Sequence, residues 1–140
     1  MNRMLALTFG LVALCGASLA QDLIVKHADV PRYPGLAVEA RLSGTLTFRV
    51  SVDHGSVSSV EPNPSNSPTL RMLQDAAVTN IRSWSFYGGE RTTFDVEFSF
   101  ELSQEEVPVP ENPHIEMTLP RFVRLVAHPV KPTVSDGEKQ

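Results

Sequence analysis

The sharpest pattern in the chain is a strict alternation of apolar and polar side chains. Leu46, Phe48, Val50 and Val52 alternate with Thr45, Thr47, Arg49 and Ser51. A period of two gives one buried face and one wet face, so this segment predicts a strand. Asp53-His54-Gly55 reads as a turn, with Gly55 able to take positive φ. Ser56 to Glu61 returns as a second strand. Its apolar positions, Val57 and Val60, are three apart, and a bulge near Ser58-Ser59 restores the period. The alternation recurs from Thr92 to Leu102, where Phe94, Val96, Phe98, Phe100 and Leu102 alternate with Thr93, Asp95, Glu97, Ser99 and Glu101.

Between these strands the period changes. Pro62 to Pro68 holds three prolines and two asparagines, which predicts a loop. From Thr69 to Arg82 the apolar residues Leu70, Leu73, Ala77 and Ile81 fall at helical spacing, and Trp84 completes the stripe. Arg71, Gln74, Asp75 and Asn80 are expected to face out. Ser67 fits an N-cap, with Pro68 at the first helical position. Trp84-Ser85-Phe86 leads out of the helix, and Gly88-Gly89 predicts a turn. Upstream, the prolines of Pro31-Arg32-Tyr33-Pro34 keep the residues before them out of helix. Pro34 opens a short helix with Leu36, Ala37 and Ala40 on one face, and Gly44 ends it.

These elements predict an α+β domain over residues 31–102. Its expected form is a three-stranded antiparallel sheet with one main helix packed on one face and a short N-terminal helix. Residues 21–30 read as a lead-in, with a short edge strand through Leu23-Ile24-Val25. Residues 103–127 read as a proline-containing extension. Pro108, Pro110 and Pro113 give it a linker character. Ile115, Met117 and Leu119 then alternate, Pro120-Arg121 can turn, and Phe122 to Val126 is apolar, so an extra C-terminal hairpin is expected. Residues 128–140 are polar and proline-containing, which predicts a disordered tail.

The first residues change the picture of where the domain works. Arg3 carries a positive charge, Met4 to Leu14 is apolar apart from Thr8 and Gly10, and Ser18-Leu19-Ala20 offers small side chains before a cut. Residues 1–20 therefore predict a secretory signal peptide cleaved after Ala20, and a periplasmic or secreted protein. The alternative is a membrane anchor through residues 4–20. A lipid on Cys15 is disfavoured, because bulky Leu14 stands where lipoprotein processing wants a small residue. Cleavage removes the only cysteine and leaves a chain of 120 residues without thiol chemistry. Loss of Arg3 takes the formal net charge from −4 to −5. An acidic chain without a basic patch points away from nucleic acid.

No constellation in the sequence carries catalysis. His27, His54, His114 and His128 are scattered, and no two share the spacing of metal ligands on one face. No serine sits in a Gly-x-Ser-x-Gly elbow. Asp95, Glu97 and Glu101 line one face of the last strand and read as its solvated side rather than as acid–base partners. Gly88-Gly89 lacks the Lys-Ser or Lys-Thr of a phosphate loop. The expectation is a non-enzymatic protein without a cofactor or metal.

The order of these features carries a resemblance. Tyr33-Pro34, Gly44 before an alternating strand, the hairpin Asp53-His54-Gly55-Ser56-Val57, a helix, Trp84-Ser85-Phe86 and a last alternating strand together resemble the C-terminal domain of TonB, the energy transducer of bacterial outer-membrane transport. The resemblance covers Pro31 to Leu102. It departs from the family at His54, where Asp-Gly is usual, at Ser85, where a basic residue is usual, and at Tyr87-Gly88-Gly89, where a proline is usual. It implies a module that binds an extended peptide, such as a segment of an outer-membrane transporter, by adding it as a strand to a sheet edge. By similarity Tyr33 and Pro34 lie near the bound segment, and Thr92 to Leu102, with Phe94, Val96 and Phe98, offers the edge. Tyr33-Pro34 can equally serve only to set the start of the short helix.

The ten residues from Gln21 to Val30 reach at most ~35 Å. That is too short for a periplasm-crossing spacer, so the expectation is a TonB-like domain without the motor. The alternative is an interaction protein whose sheet edge is capped by its own C-terminal tail, since Ile115 to Val126 could fold back onto it. Pairing of two copies through the edge would give a homodimer.

Overall fold

The computed structural model describes residues 23–132. The expected leader, Met1 to Ala20, and the tail beyond Pro132 lie outside the described residues. Nine elements follow in order: β1 (Val25–His27), α1 (Gly35–Glu39), β2 (Gly44–Asp53), β3 (Ser56–Pro62), α2 (Arg71–Arg82), β4 (Ser85–Phe86), β5 (Thr92–Leu102), β6 (His114–Thr118) and β7 (Phe122–Ala127). A 3-10 turn, Pro68–Leu70, precedes α2 and extends it to a 15-residue helix. Among the described residues, no helix is long and apolar enough to cross a membrane.

The three-stranded α+β sheet expected from the sequence is replaced by a larger one. The protein is mostly β: seven strands form a mixed sheet in the order β1-β4-β3-β2-β5-β7-β6, strongly curled into a half-barrel. The antiparallel trio β3-β2-β5 is present at its centre. Four further strands extend it. Short β1 and β4 pair beyond β3, and the C-terminal hairpin β6-β7 joins the other side, with β7 parallel to β5. The physical reason is the length of β5. Three strands would leave the far flank of Phe98, Phe100 and Leu102 open, and Val123, Leu125 and Ala127 of β7 close it in register.

The hairpin between β2 and β3 follows its local chemistry. Asp53 pairs with Ser56, and the two residues between them have φ of 51° at His54 and 77° at Gly55. Two positive φ values make a type I′ turn, whose twist suits a tight hairpin. The expected bulge falls on Ser58. Ser51 pairs with Ser59 and Val52 with Val57, so Ser58 is the extra residue, and its hydroxyl donates to the Ser51 carbonyl at 3.0 Å.

The core is a single cluster between the apolar face of the sheet and α2. Leu46, Phe48, Val50 and Val52 pair with Phe98, Val96, Phe94 and Thr92, so all eight share one face. Leu73, Ala77 and Ile81 of α2 and then Trp84 are buried against it. Ser67 stands at the helix start, but its hydroxyl bonds the Thr69 hydroxyl rather than a free backbone N–H. In α1, Ala37 is buried while Leu36 stays largely exposed.

Asn80 departs from the sequence expectation. Its polarity predicts an outward position on the helix, yet it is buried. Its amide nitrogen donates to the Asp29 carbonyl at 2.8 Å, and its carbonyl oxygen accepts from Trp84 Nε1 at 3.1 Å. A buried polar side chain is tolerated when it is bonded in this way. Asn80 thereby ties the segment after β1 to the end of α2.

The extension after β5 is part of the same sheet. Ser103 N–H donates to the Ala127 carbonyl at 2.8 Å, and Val107 forms a parallel bridge with Val130. His128 to Pro132 therefore runs beside Ser103–Val107, against the expectation of a disordered tail from residue 128.

Candidate functional site

The two sides of β5 are covered unequally. On one side β2 pairs along it from Thr92 to Phe100. On the other side β7 pairs only from Glu97 to Leu102. Glu97 N–H donates to the Arg121 carbonyl at 2.9 Å, at the start of that contact. In an extended strand the main-chain groups of alternate residues point the same way. Thr93 and Asp95 therefore aim their N–H and C=O groups to the same side as Glu97. Among the described residues no strand pairs with them there.

Three of the residues expected to bind a peptide lie on this strand. Phe94 is half-buried, and its ring meets Phe86 edge-on with centroids 5.7 Å apart. Val96 is buried, and its main chain lies at the boundary between the free and the covered half. Phe98 is buried and paired on both sides, with Leu46 and with Val123. On the opposite face, Thr93 bonds Ser51 through their hydroxyls at 3.3 Å and Asp95 meets Arg49 at 3.4 Å. A cavity of about 300 Å³ opens at the same end of the sheet. Leu23, Ile24, Val52, Phe86, Tyr87 and Thr92 line it, and Ile24 and Tyr87 are largely exposed.

Tyr33 and Pro34 lie at the other end. The Tyr33 ring stands edge-on to Phe100 at 5.3 Å. Phe100 is six residues along β5 from Phe94, a distance of about 20 Å. The structure therefore does not bring Tyr33 and Pro34 together with the open half of the strand. Their contacts are architectural. The Pro34 carbonyl accepts from the N–H groups of Ala37 and Val38 and so starts α1. The Tyr33 hydroxyl donates to the Leu42 carbonyl and holds the end of that helix. Tyr33 also borders a groove of about 290 Å³ between α1 and the segments Pro110–Pro113 and Ala127–Val130.

Burial of the Tyr33 phenol pushes its pKa up from 10.0 to about 12. The folded state holds the proton more tightly than the unfolded state does. The stabilisation is complete below pH 10 and is lost as pH rises toward 12. Urea midpoints measured across that range are expected to fall with pH, and Tyr33→Phe is expected to flatten part of the fall. An identical slope in the variant would remove Tyr33 as its source.

The histidines do not converge. His27 meets Asp29 at 2.8 Å, His54 meets Asp53 at 2.8 Å, and His114 meets Glu116 at 3.2 Å. The bond from His114, with the nearby charge of Arg124, holds the Glu116 carboxyl below the usual carboxylate range. Among the described residues, no three His, Cys, Asp or Glu side chains gather around a common point that could hold a metal ion.

No protein-family model and no curated protein matches this sequence.

Proposed function

We propose that the chain is a peptide-binding module that takes an extended segment as an added strand along Thr92–Val96. The observation that carries this reading is the half-covered β5: β7 begins opposite Glu97, and among the described residues no strand pairs with the main-chain groups of Thr93 and Asp95 on that side. An unpaired strand edge is a template for another strand, with backbone hydrogen bonds supplying affinity and alternate side chains supplying specificity. The other edges are poorer templates. β1 has three residues. β6 is bounded by Pro113 and Pro120 and carries His114 and Glu116, features that blunt an edge. Displacing β7 to free the rest of β5 would expose Val123 and Leu125, which are fully buried.

The resemblance to the TonB C-terminal domain supports the same mode of binding and makes segments of outer-membrane transporters the first partners to test. With Met1 to Ala20 removed as a leader, the module would work in the periplasm. A second reading, an interaction protein capped by its own C-terminal strand, is favoured by the pairing of β7 with Glu97–Leu102. The two readings differ in the fate of Thr92–Val96.

Nuclear magnetic resonance separates them. Addition of transporter-derived extended peptides is expected to shift and protect the Thr93 and Asp95 amides before any others. Thr93→Pro removes one outward N–H and leaves the bonds to β2 in place, so it is expected to weaken binding about tenfold with a small change in stability. Protection confined to His114–Thr118, or no protection at any peptide concentration, would overturn the proposal.

A further inference from the structure

The open half of β5 also carries information about the sequence it takes. Resting on the strand-addition reading, we infer that it selects a lone extended peptide with one large apolar side chain opposite Phe94 and a basic residue beside Asp95.

The register dictates the first part. Among the described residues of β5, Thr93 and Asp95 point main-chain groups to the side where no strand pairs with them, so the added strand bonds through the residues facing them. The residue between those two lies opposite Phe94, and its side chain projects to the same face as Phe94. There it meets the Phe94 and Phe86 rings, which stand 5.7 Å apart, and Phe94 is only half-buried before anything is added. The neighbouring cavity of about 300 Å³, with Ile24, Val52, Phe86 and Thr92 in its walls, gives a large side chain somewhere to go. A large apolar side chain in that place buries its own surface against Phe94, Val52 and Ile24, a gain that a serine is too small and too polar to make.

The flanking residues of the added strand project to the opposite face. One lies beside Asp95, whose side chain is mostly exposed and meets Arg49 at 3.4 Å. Opposite charges on neighbouring strands attract, so a basic residue is favoured there by a few-fold.

A second copy of the chain fits this place badly. Antiparallel pairing of two Thr92–Val96 segments centred on Phe94 brings each sheet along with its edge. The Asp53–Ser56 turn sits beside Thr92, and the Thr118–Phe122 turn sits beside Glu97. Such pairing drives the first turn of one copy into the second turn of the other. A single strand has no neighbour to collide with.

The test uses capped peptides of sequence Ser-Thr-Lys-Xaa-Lys-Thr-Ser, titrated into the protein and read through its amide resonances. With Xaa as Phe or Leu, binding is expected to be about tenfold tighter than with Xaa as Ser, with the Thr93 and Asp95 amides protected in each case. Phe94→Ala is expected to remove most of that preference. Ile24→Ser, at an exposed position in the cavity wall, is expected to reduce it without disturbing the fold. Equal affinities for Phe, Leu and Ser peptides, with Thr93 and Asp95 still protected, would overturn this inference and leave strand addition standing. Failure of every peptide to reach those two amides would overturn both. Protection that appears without peptide and fades on dilution would assign the edge to a second copy and overturn the inference as well.

Discussion

A chain ended after Leu102 is expected to lose its cooperative unfolding transition. The cut removes β6 and β7, and with them Val123 and Leu125, which are fully buried, and Ala127, which is nearly so. Burying a Val or Leu side chain contributes about 1.5–3 kcal/mol. Ile115, Met117 and Leu119, which pack against the same core, add part of that each. The sum is comparable with the ~5–15 kcal/mol that separates most folded domains from their unfolded state. The cut also strips the second side of β5 from Glu97 to Leu102 and leaves a long flat edge open to aggregation. Urea titration followed by circular dichroism should show a broad, early loss of structure, with binding of a hydrophobic dye in dilute buffer. A sharp transition at the full-length midpoint would show instead that the central strands and α2 are sufficient alone.

That expectation marks the boundary of what local patterning can reveal. The centre of the sheet was legible because its strands alternate cleanly and its turn residues are specific. Thr92–Leu102 was read with its observed bounds, and the Ser58 bulge was implied by the spacing of Val57 and Val60. The outer strands were not legible. β4 has two residues and β1 has three, too few for a period to show. The hairpin β6-β7 was legible as a hairpin, and its return to the edge of the last strand stood as an alternative, but the parallel direction and the extent of that pairing did not show. Its pairing with β5 is parallel and follows a crossover rich in proline, Ser103–Pro113, which reads locally as a linker. Parallel neighbours leave no short turn between them to announce the pairing.

Asn80 was misplaced for a related reason. Polarity sent it outward on the helix, although it lies four residues before Trp84 and so on the same face. An indole N–H that must be buried needs an acceptor, and that requirement was the available signal. For the candidate site, the strand was legible and its accessible half was not. Which part of an edge remains open depends on where a distant segment stops, and that segment stops at Glu97 because the β6-β7 turn falls beside it.

The same geometry separates Phe98 from Phe94, although the alternation makes them equivalent. Phe98 is fully buried. It lies at a stacked angle to Trp84 and to Phe100, with centroids 6.3 Å and 6.0 Å away, and edge-on to Phe48 at 5.9 Å. With β2 on one side and β7 on the other, no incoming strand can reach it. Phe98→Ala is therefore expected to cost about 3–5 kcal/mol of stability, the usual price of an emptied aromatic site in a packed core. Phe98→Leu keeps most of the volume and is expected to cost less than about 1.5 kcal/mol. At a temperature where the Leu variant is fully folded, its peptide affinity is expected to equal that of the parent, whereas Phe94→Ala loses the preference for apolar peptides. Chemical denaturation and peptide titration of the three variants measure the two effects separately. A folded Phe98→Leu protein with impaired peptide binding would place the recognition surface on the covered half of β5, and would require β7 to leave the sheet when the partner arrives.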